Sequence, residues 1–207
     1  MFHARPKRDA AIALAVWLTD MLLLFVYGWM HVHAATRAAS GWCLIVSYVP
    51  ALLATVIVLA RDHDLTAIGL GRGHLKPDSL MLLAMLAAEL LIGVCIYRMS
   101  WNKAVPDLVY YMFQIAMAEG VVYRGLIQNY LFGLPLPHKA VFLIGAAMFT
   151  LSHLPFQLQI RPWDLAFTIQ LCITFVSHLL YCWIASKRNN LLVPWGIHVA
   201  QDFLQVV

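Results

Sequence analysis

Three short stretches place polar side chains inside long apolar runs: "AEGVVYRGL" (118–126), "FTLSH" (149–153) and "HVAQD" (198–202). They supply one carboxylate, Glu119, two histidines, His153 and His198, and a second carboxylate, Asp202. In a dry cavity that set is sufficient to activate a water. A buried carboxylate takes the proton as general base. A neutral histidine shares or orients the same water. The second histidine and a neighbouring polar side chain donate hydrogen bonds to a developing oxyanion. The combination describes peptide hydrolysis without a covalent intermediate. Ser152 precedes His153, but sequence neighbours point to different helix faces, so a Ser–His dyad is not expected. The same Glu119, His153, His198 and Asp202 also suit a divalent metal such as zinc. No HExxH pattern is present and three separate helices would have to supply the ligands. Spacing alone leaves water activation and metal binding both open.

Helical spacing refines the set. Phe149 and His153 are four apart and share a face, as do His198 and Asp202, and Glu119 and Tyr123. Arg124 is five residues from Glu119, roughly 140° around a helix, and is not expected to be its ion partner. Asp20, Glu89, backbone carbonyls or the membrane boundary are the expected alternatives. Ionisable residues inside spans are costly in lipid, which marks Asp20, Glu89 and His178 as well. His178 belongs to no motif and reads as a packing histidine. Asp20 and Glu89 read as structural partners, and Tyr123 as a packing residue with a satisfied hydroxyl.

The elements that carry these residues must be membrane helices. Of 207 residues, 62% are hydrophobic and 12% charged, against about 45–50% and about 25% in a soluble domain. The reading is an all-α polytopic transmembrane bundle of about seven spans. They fall at roughly 10–31, 41–60, 79–97, 107–132, 139–156, 164–185 and 191–207. The fourth is long enough to be tilted, kinked or partly interfacial. Residues 1–207 are expected to form a single integral membrane domain with no appended soluble domain. With the N-terminus inside, nine basic residues fall in cytoplasmic segments and four outside, so the positive-inside rule favours N-in. The basic residues report topology, and no nucleic-acid partner is expected. Cys43, Cys95, Cys172 and Cys182 all fall within spans and read as packing residues. Trp17, Trp29, Trp42, Trp101, Trp163 and Trp195 read as interfacial belts.

At about 1.5 Å per residue, Glu119 and His153 lie roughly 20 Å from the cytoplasmic boundary and His198 nearer 10 Å. A single site therefore requires tilted or broken helices. Pro194, Gly196 and the "GLPLPH" segment are the candidate breaks.

The three stretches, in this order, resemble the motifs EExxxR, FxxxH and HxxxN/D of the CPBP family of intramembrane proteases, also called the CAAX-protease and bacteriocin-processing (Abi) family. They appear here as "EGVVYR" (119–124), "FTLSH" and "HVAQD", each in its own span, and "LTAIGLGRGHLK" resembles the family's lead-in. The resemblance covers a family-like core of about 65–207. It implies that Glu119 is the general base and that His153 helps activate the water. His198 and Asp202 would stabilise the oxyanion, while Arg124 and Phe149 hold structural motif positions. The second motif glutamate is replaced by Gly120, which removes a buried charge and a partner for Arg124.

The function implied is a glutamate-dependent intramembrane endopeptidase, open to metal assistance. It would cleave near the terminus of a membrane-associated protein or peptide, in C-terminal processing, sorting-signal removal or peptide maturation. The bilayer is the other partner, and a prokaryotic cytoplasmic (inner) membrane is the expected location. Gly120 also admits a non-proteolytic protein of the same fold, such as a bacteriocin-immunity factor or scaffold.

Overall fold

The computed structural model describes residues 2–33, 36–69 and 74–204. Arg72 and the centre of the "LTAIGLGRGHLK" segment fall outside them, as do the side chains of Arg37 and Trp42. Helices α1 (Lys7–His33) and α2 (Thr36–Asp62) pair along their length. A 3-10 turn, Leu65–Ile68, follows, capped by the Asp64 carboxylate at its start and by Gly69 at φ 79° at its end. Helix α3 (Leu75–Leu91) runs on through a π turn, Ile92–Ile96. Then comes an irregular rod. Helix α4 (Trp101–Val109) passes into π-helical stretches Tyr110–Met117 and Gly120–Ile127, then α5 (Gln128–Tyr130) and a 3-10 turn, Leu131–Gly133. Helices α6 (His138–Ser152), α7 (Leu154–Ile160), α8 (Leu165–Arg188) and α9 (Leu192–Phe203) complete an all-helical bundle.

Among the described residues, five stretches are long and apolar enough to cross a bilayer: Lys7–His33, Cys43–Asp62, Leu75–Ile96, His138–Ile160 and Leu165–Arg188. The remaining two expected spans differ in kind. One is the rod 101–130, which alternates α and π turns. The other is α9, only 12 residues long. These two irregular elements carry Glu119, Arg124, His198 and Asp202. The chain is an integral membrane protein.

Lipid is as apolar as leucine, so helices in a bilayer associate by close packing and polar contacts rather than by escape from water. The rod runs through the core, where Val122, Tyr123, Leu126, Ile127 and Tyr130 are buried against Ala13, Val16, Ala54, Val58 and Phe149. Close approach needs glycine. A Cβ on Gly125 would stand 2.9 Å from the Ile68 backbone.

At the N-terminal end a polar latch ties three elements together. Arg5 Nη1 donates to Asp62 Oδ1 at 2.7 Å and lies 3.9 Å from Asp9. Arg61 also pairs with Asp9. The Tyr130 hydroxyl donates to Asp62 Oδ2 at 3.2 Å, beneath the Arg5 guanidinium. Trp29, Trp101 and Trp163 are exposed. Trp17 and Trp195 are not belt residues. Their indole N–H groups donate inward, to Met148 O at 2.8 Å and Met112 O at 2.7 Å. An indole N–H cannot stay unsatisfied in an apolar interior, and a backbone carbonyl is the nearest acceptor there. Cys43, Cys95, Cys172 and Cys182 are all free.

Candidate active site

The FTLSH segment closes α6 with a tightened turn, and Pro155, which lacks an N–H, stands at the start of α7. The His153 backbone N–H turns back to Thr150 O, leaving Phe149 O without its helical donor. Two side chains take that carbonyl: the Ser152 hydroxyl donates to it at 2.7 Å and His153 Nδ1 at 2.9 Å. A carbonyl only accepts, so Nδ1 carries the hydrogen. In the neutral ring Nε2 is then the acceptor.

His198 is held the opposite way. Arg124 Nη2 lies 2.8 Å from its Nδ1. A guanidinium only donates, so Nδ1 must accept and Nε2 carries the hydrogen. That Nε2 lies 3.3 Å from Asp202 Oδ2 and 3.6 Å from Glu119 Oε2. The two histidines are thus fixed in opposite tautomers, one by a carbonyl and one by an arginine. His153 offers an acceptor and His198 a donor.

Phe149 spaces this cluster. Its ring centroid lies 5.0 Å from Tyr123, 5.0 Å from His153, 4.6 Å from His178 and 6.3 Å from His198. Arg124 is 1% exposed and stacks over Tyr181 at 4.9 Å, with Nη2 also 3.5 Å from Ala116 O. Among the described residues it pairs with no carboxylate. Neither Asp20 nor Glu89 is its partner, and of the expected alternatives only the backbone carbonyl is realised. Asp20 instead accepts from the Tyr123 hydroxyl, which satisfies that phenol as expected. Glu89 is buried with neither oxygen hydrogen-bonded among the described residues. His178 is buried, stacked on Phe149 and 3.3 Å from Cys182 Sγ, as a packing histidine would be.

The turn before α9 is held by buried polar contacts. Asn190 is wholly buried and donates to the buried Asp78 at 2.5 Å, while the Leu191 N–H donates to Gly69 O at 3.0 Å. This turn is drawn inside the protein, and α9 runs from it to bring His198 Nε2 within 3.6 Å of Glu119 Oε2.

Two cavities of about 360 Å³ each meet at the cluster. His153, His198 and Asp202 border both. Glu119, Asp20 and Tyr123 border only the first, which extends between α1 and α2 to Leu24, Tyr27 and Val46. The second lies against α8 and is lined by Thr174, Ser177 and Tyr181. Sequence reasoning missed Asp20 as a cavity residue. It also missed the α8 polar positions, although their helical spacing was a readable signal.

A metal fits this arrangement poorly. His198, with Nδ1 engaged by Arg124 and hydrogen on Nε2, has no lone pair to offer. Among the described residues no group of three or more His, Cys, Asp or Glu side chains converges as a ligand set. The geometry instead offers an acceptor imidazole, a donor imidazole and two carboxylates around one space.

No curated protein and no solved structure matches the chain. The family described as type II CAAX prenyl endopeptidase Rce1-like matches residues 100–204, just over half of the chain and the part that holds Glu119, Arg124, Phe149, His153, His198 and Asp202. The chain therefore belongs to the Rce1-like CAAX prenyl endopeptidase family, an intramembrane protease family.

Proposed function

We propose that this protein is a glutamate-dependent intramembrane endopeptidase cleaving a peptide bond near the terminus of a membrane-associated substrate. Glu119 takes the proton of the hydrolytic water, and His153 Nε2 accepts a hydrogen bond from the same water and orients it. The carbonyl oxygen, as it becomes an oxyanion, receives the hydrogen bond of His198 Nε2–H, which faces Asp202 Oδ2 at 3.3 Å at rest and turns from it to the oxyanion. Arg124 acts through His198 as a positioning residue. Glu119 then returns the proton to the leaving amine. No step requires a metal. The observation that carries this reading is the opposite tautomers of His153 and His198 beside Glu119. The family description names prenylated CAAX substrates, and the first cavity, running between α1 and α2, suits a lipid-anchored peptide.

The test is peptide hydrolysis by purified protein in liposomes, using lipid-anchored, prenylated and transmembrane peptides. Glu119→Ala and His153→Ala are compared with wild type, with and without a chelator. Cleavage abolished by both substitutions and spared by the chelator is expected. Loss on chelation, restored by added metal, would reject the metal-free mechanism. Gly120, in place of the second motif glutamate, favours the non-proteolytic reading. Retention of the cellular role by Glu119→Ala would establish that alternative.

A further inference from the structure

Helix α8 presents two different stripes. Leu165, Ile169, Ile173, Val176, Leu180 and Trp183 are exposed large hydrophobics at helical spacing, the pattern of a lipid-facing edge. One position further round, Gln170, Thr174, Ser177 and Tyr181 form a shorter polar stripe, spaced four, three and four. All four line the second cavity, with Gln201 of α9 opposite; Ile169 and Ile173, where the two stripes meet, border its rim as well. Both ends of the stripe are anchored. Arg161 Nη2 donates to Gln170 Oε1 at 2.5 Å, and the Tyr181 hydroxyl donates to Gln201 Oε1 at 2.5 Å.

A row of polar side chains inside a membrane helix is costly unless it faces protein or water. Here it faces a cavity with room for on the order of ten water molecules. Hydrolysis consumes one water per turnover, and the first cavity must also hold the substrate next to Glu119. The second cavity touches His153, His198 and Asp202 but not Glu119.

We propose that the second cavity is an aqueous chamber that delivers hydrolytic water past His153 while substrate occupies the first. Thr174 and Ser177 form its hydrated wall, and the Arg161–Gln170 pair stands toward the α7–α8 turn as its outer end. This rests on the hydrolytic reading above for its role, but not for its existence.

Two measurements in liposomes test it. The first is the rate at which a membrane-impermeant thiosulfonate adds to Ser177→Cys, read as the extra adduct over wild type. Leu180→Cys, on the lipid-facing stripe, is the control. Labelling of Ser177→Cys at least tenfold faster is expected; equal rates would overturn the chamber. The second fills the wall with Thr174→Leu. Slower labelling of Ser177→Cys and a kcat lowered about tenfold at unchanged KM are expected, whereas unchanged kcat would overturn water delivery. Failure of the protease reading looks different: wild type cleaves no peptide while Ser177→Cys still labels fast.

Discussion

The polar latch at the N-terminal end and the polar cluster at mid-bundle draw on the same residue types but treat them differently. In the latch, each carboxylate faces a guanidinium: Asp9 meets Arg61 and Arg5, and Asp62 meets Arg5 and the Tyr130 hydroxyl. In the cluster, Glu119 Oε2 and Arg124 Nη1 are buried with no hydrogen-bond partner among the described residues. Arg124 is turned away from the carboxylates and onto a histidine. A latch gains stability by satisfying its charges. A site that must bind water and a developing oxyanion has to leave some of them open, and it is held in shape by its neighbours instead.

That contrast predicts separable effects on activity and stability. The largest is Glu119→Gln, which should lower kcat about 10³-fold while leaving the thermal midpoint in detergent nearly unchanged. A large drop in midpoint instead would make Glu119 a structural residue like Asp9. Asp9→Ala should do the reverse. It removes the buried partner of Arg61, while Arg5 keeps Asp62, and should destabilise by about 1–3 kcal/mol, with kcat per folded molecule unaffected. Denaturation midpoints and active-site titration together check it.

Arg124→Gln should fall between the two, with kcat down about 100-fold at similar KM. The readout specific to positioning is the nitrogen NMR signature of His198, which should shift from a single Nε2–H tautomer to a mixture. An unchanged signature would leave Arg124 a packing residue. Arg124→Lys should not restore activity, because an ammonium lacks the planar fork.

Two glycines calibrate the small end. A Cβ on Gly145 would collide with Gln128 Oε1, displacing a side chain that donates to Val141 O at 3.3 Å. Gly145→Ala should therefore cost about 1–3 kcal/mol, measurable as a lowered midpoint. A Cβ on Gly120 would instead meet Arg124 at an ordinary 3.7 Å and Leu191 at 3.9 Å. Gly120→Ala should stabilise by under about 1 kcal/mol through the unfolded chain. Destabilisation there would mean the rod needs glycine to form its π turns.

Much of this was legible in the order of residues. Apolar runs marked the five long spans, and the spacing of Phe149 to His153 and of His198 to Asp202 placed each pair on one helix face. The family match over 100–204 agrees with the resemblance carried by the three motifs. Other features were not legible. Trp17 and Trp195 looked like belt residues because indoles favour interfaces, and only packing reveals which N–H points inward. Asp20 looked like a partner for a charge, whereas its partner is the Tyr123 phenol. The partner of Arg124 was beyond reach because it lies 74 residues away.

What the sequence determined by itself is the class of molecule and the chemical inventory. Composition forces a membrane bundle, because so apolar a chain has nowhere else to fold. One glutamate, two histidines and an aspartate in separate apolar runs can meet only inside that bundle. What only the tertiary structure decided is the state of each group. Hydrogen on Nδ1 of His153 and on Nε2 of His198 follows from the Phe149 carbonyl left free where α6 tightens and a guanidinium brought from the rod. The start of the helix that carries His198 is fixed by a buried turn that Asp78 and Gly69 hold. Tautomer and the placement of α9 are relations between distant segments, set by which donor meets which acceptor once the helices pack.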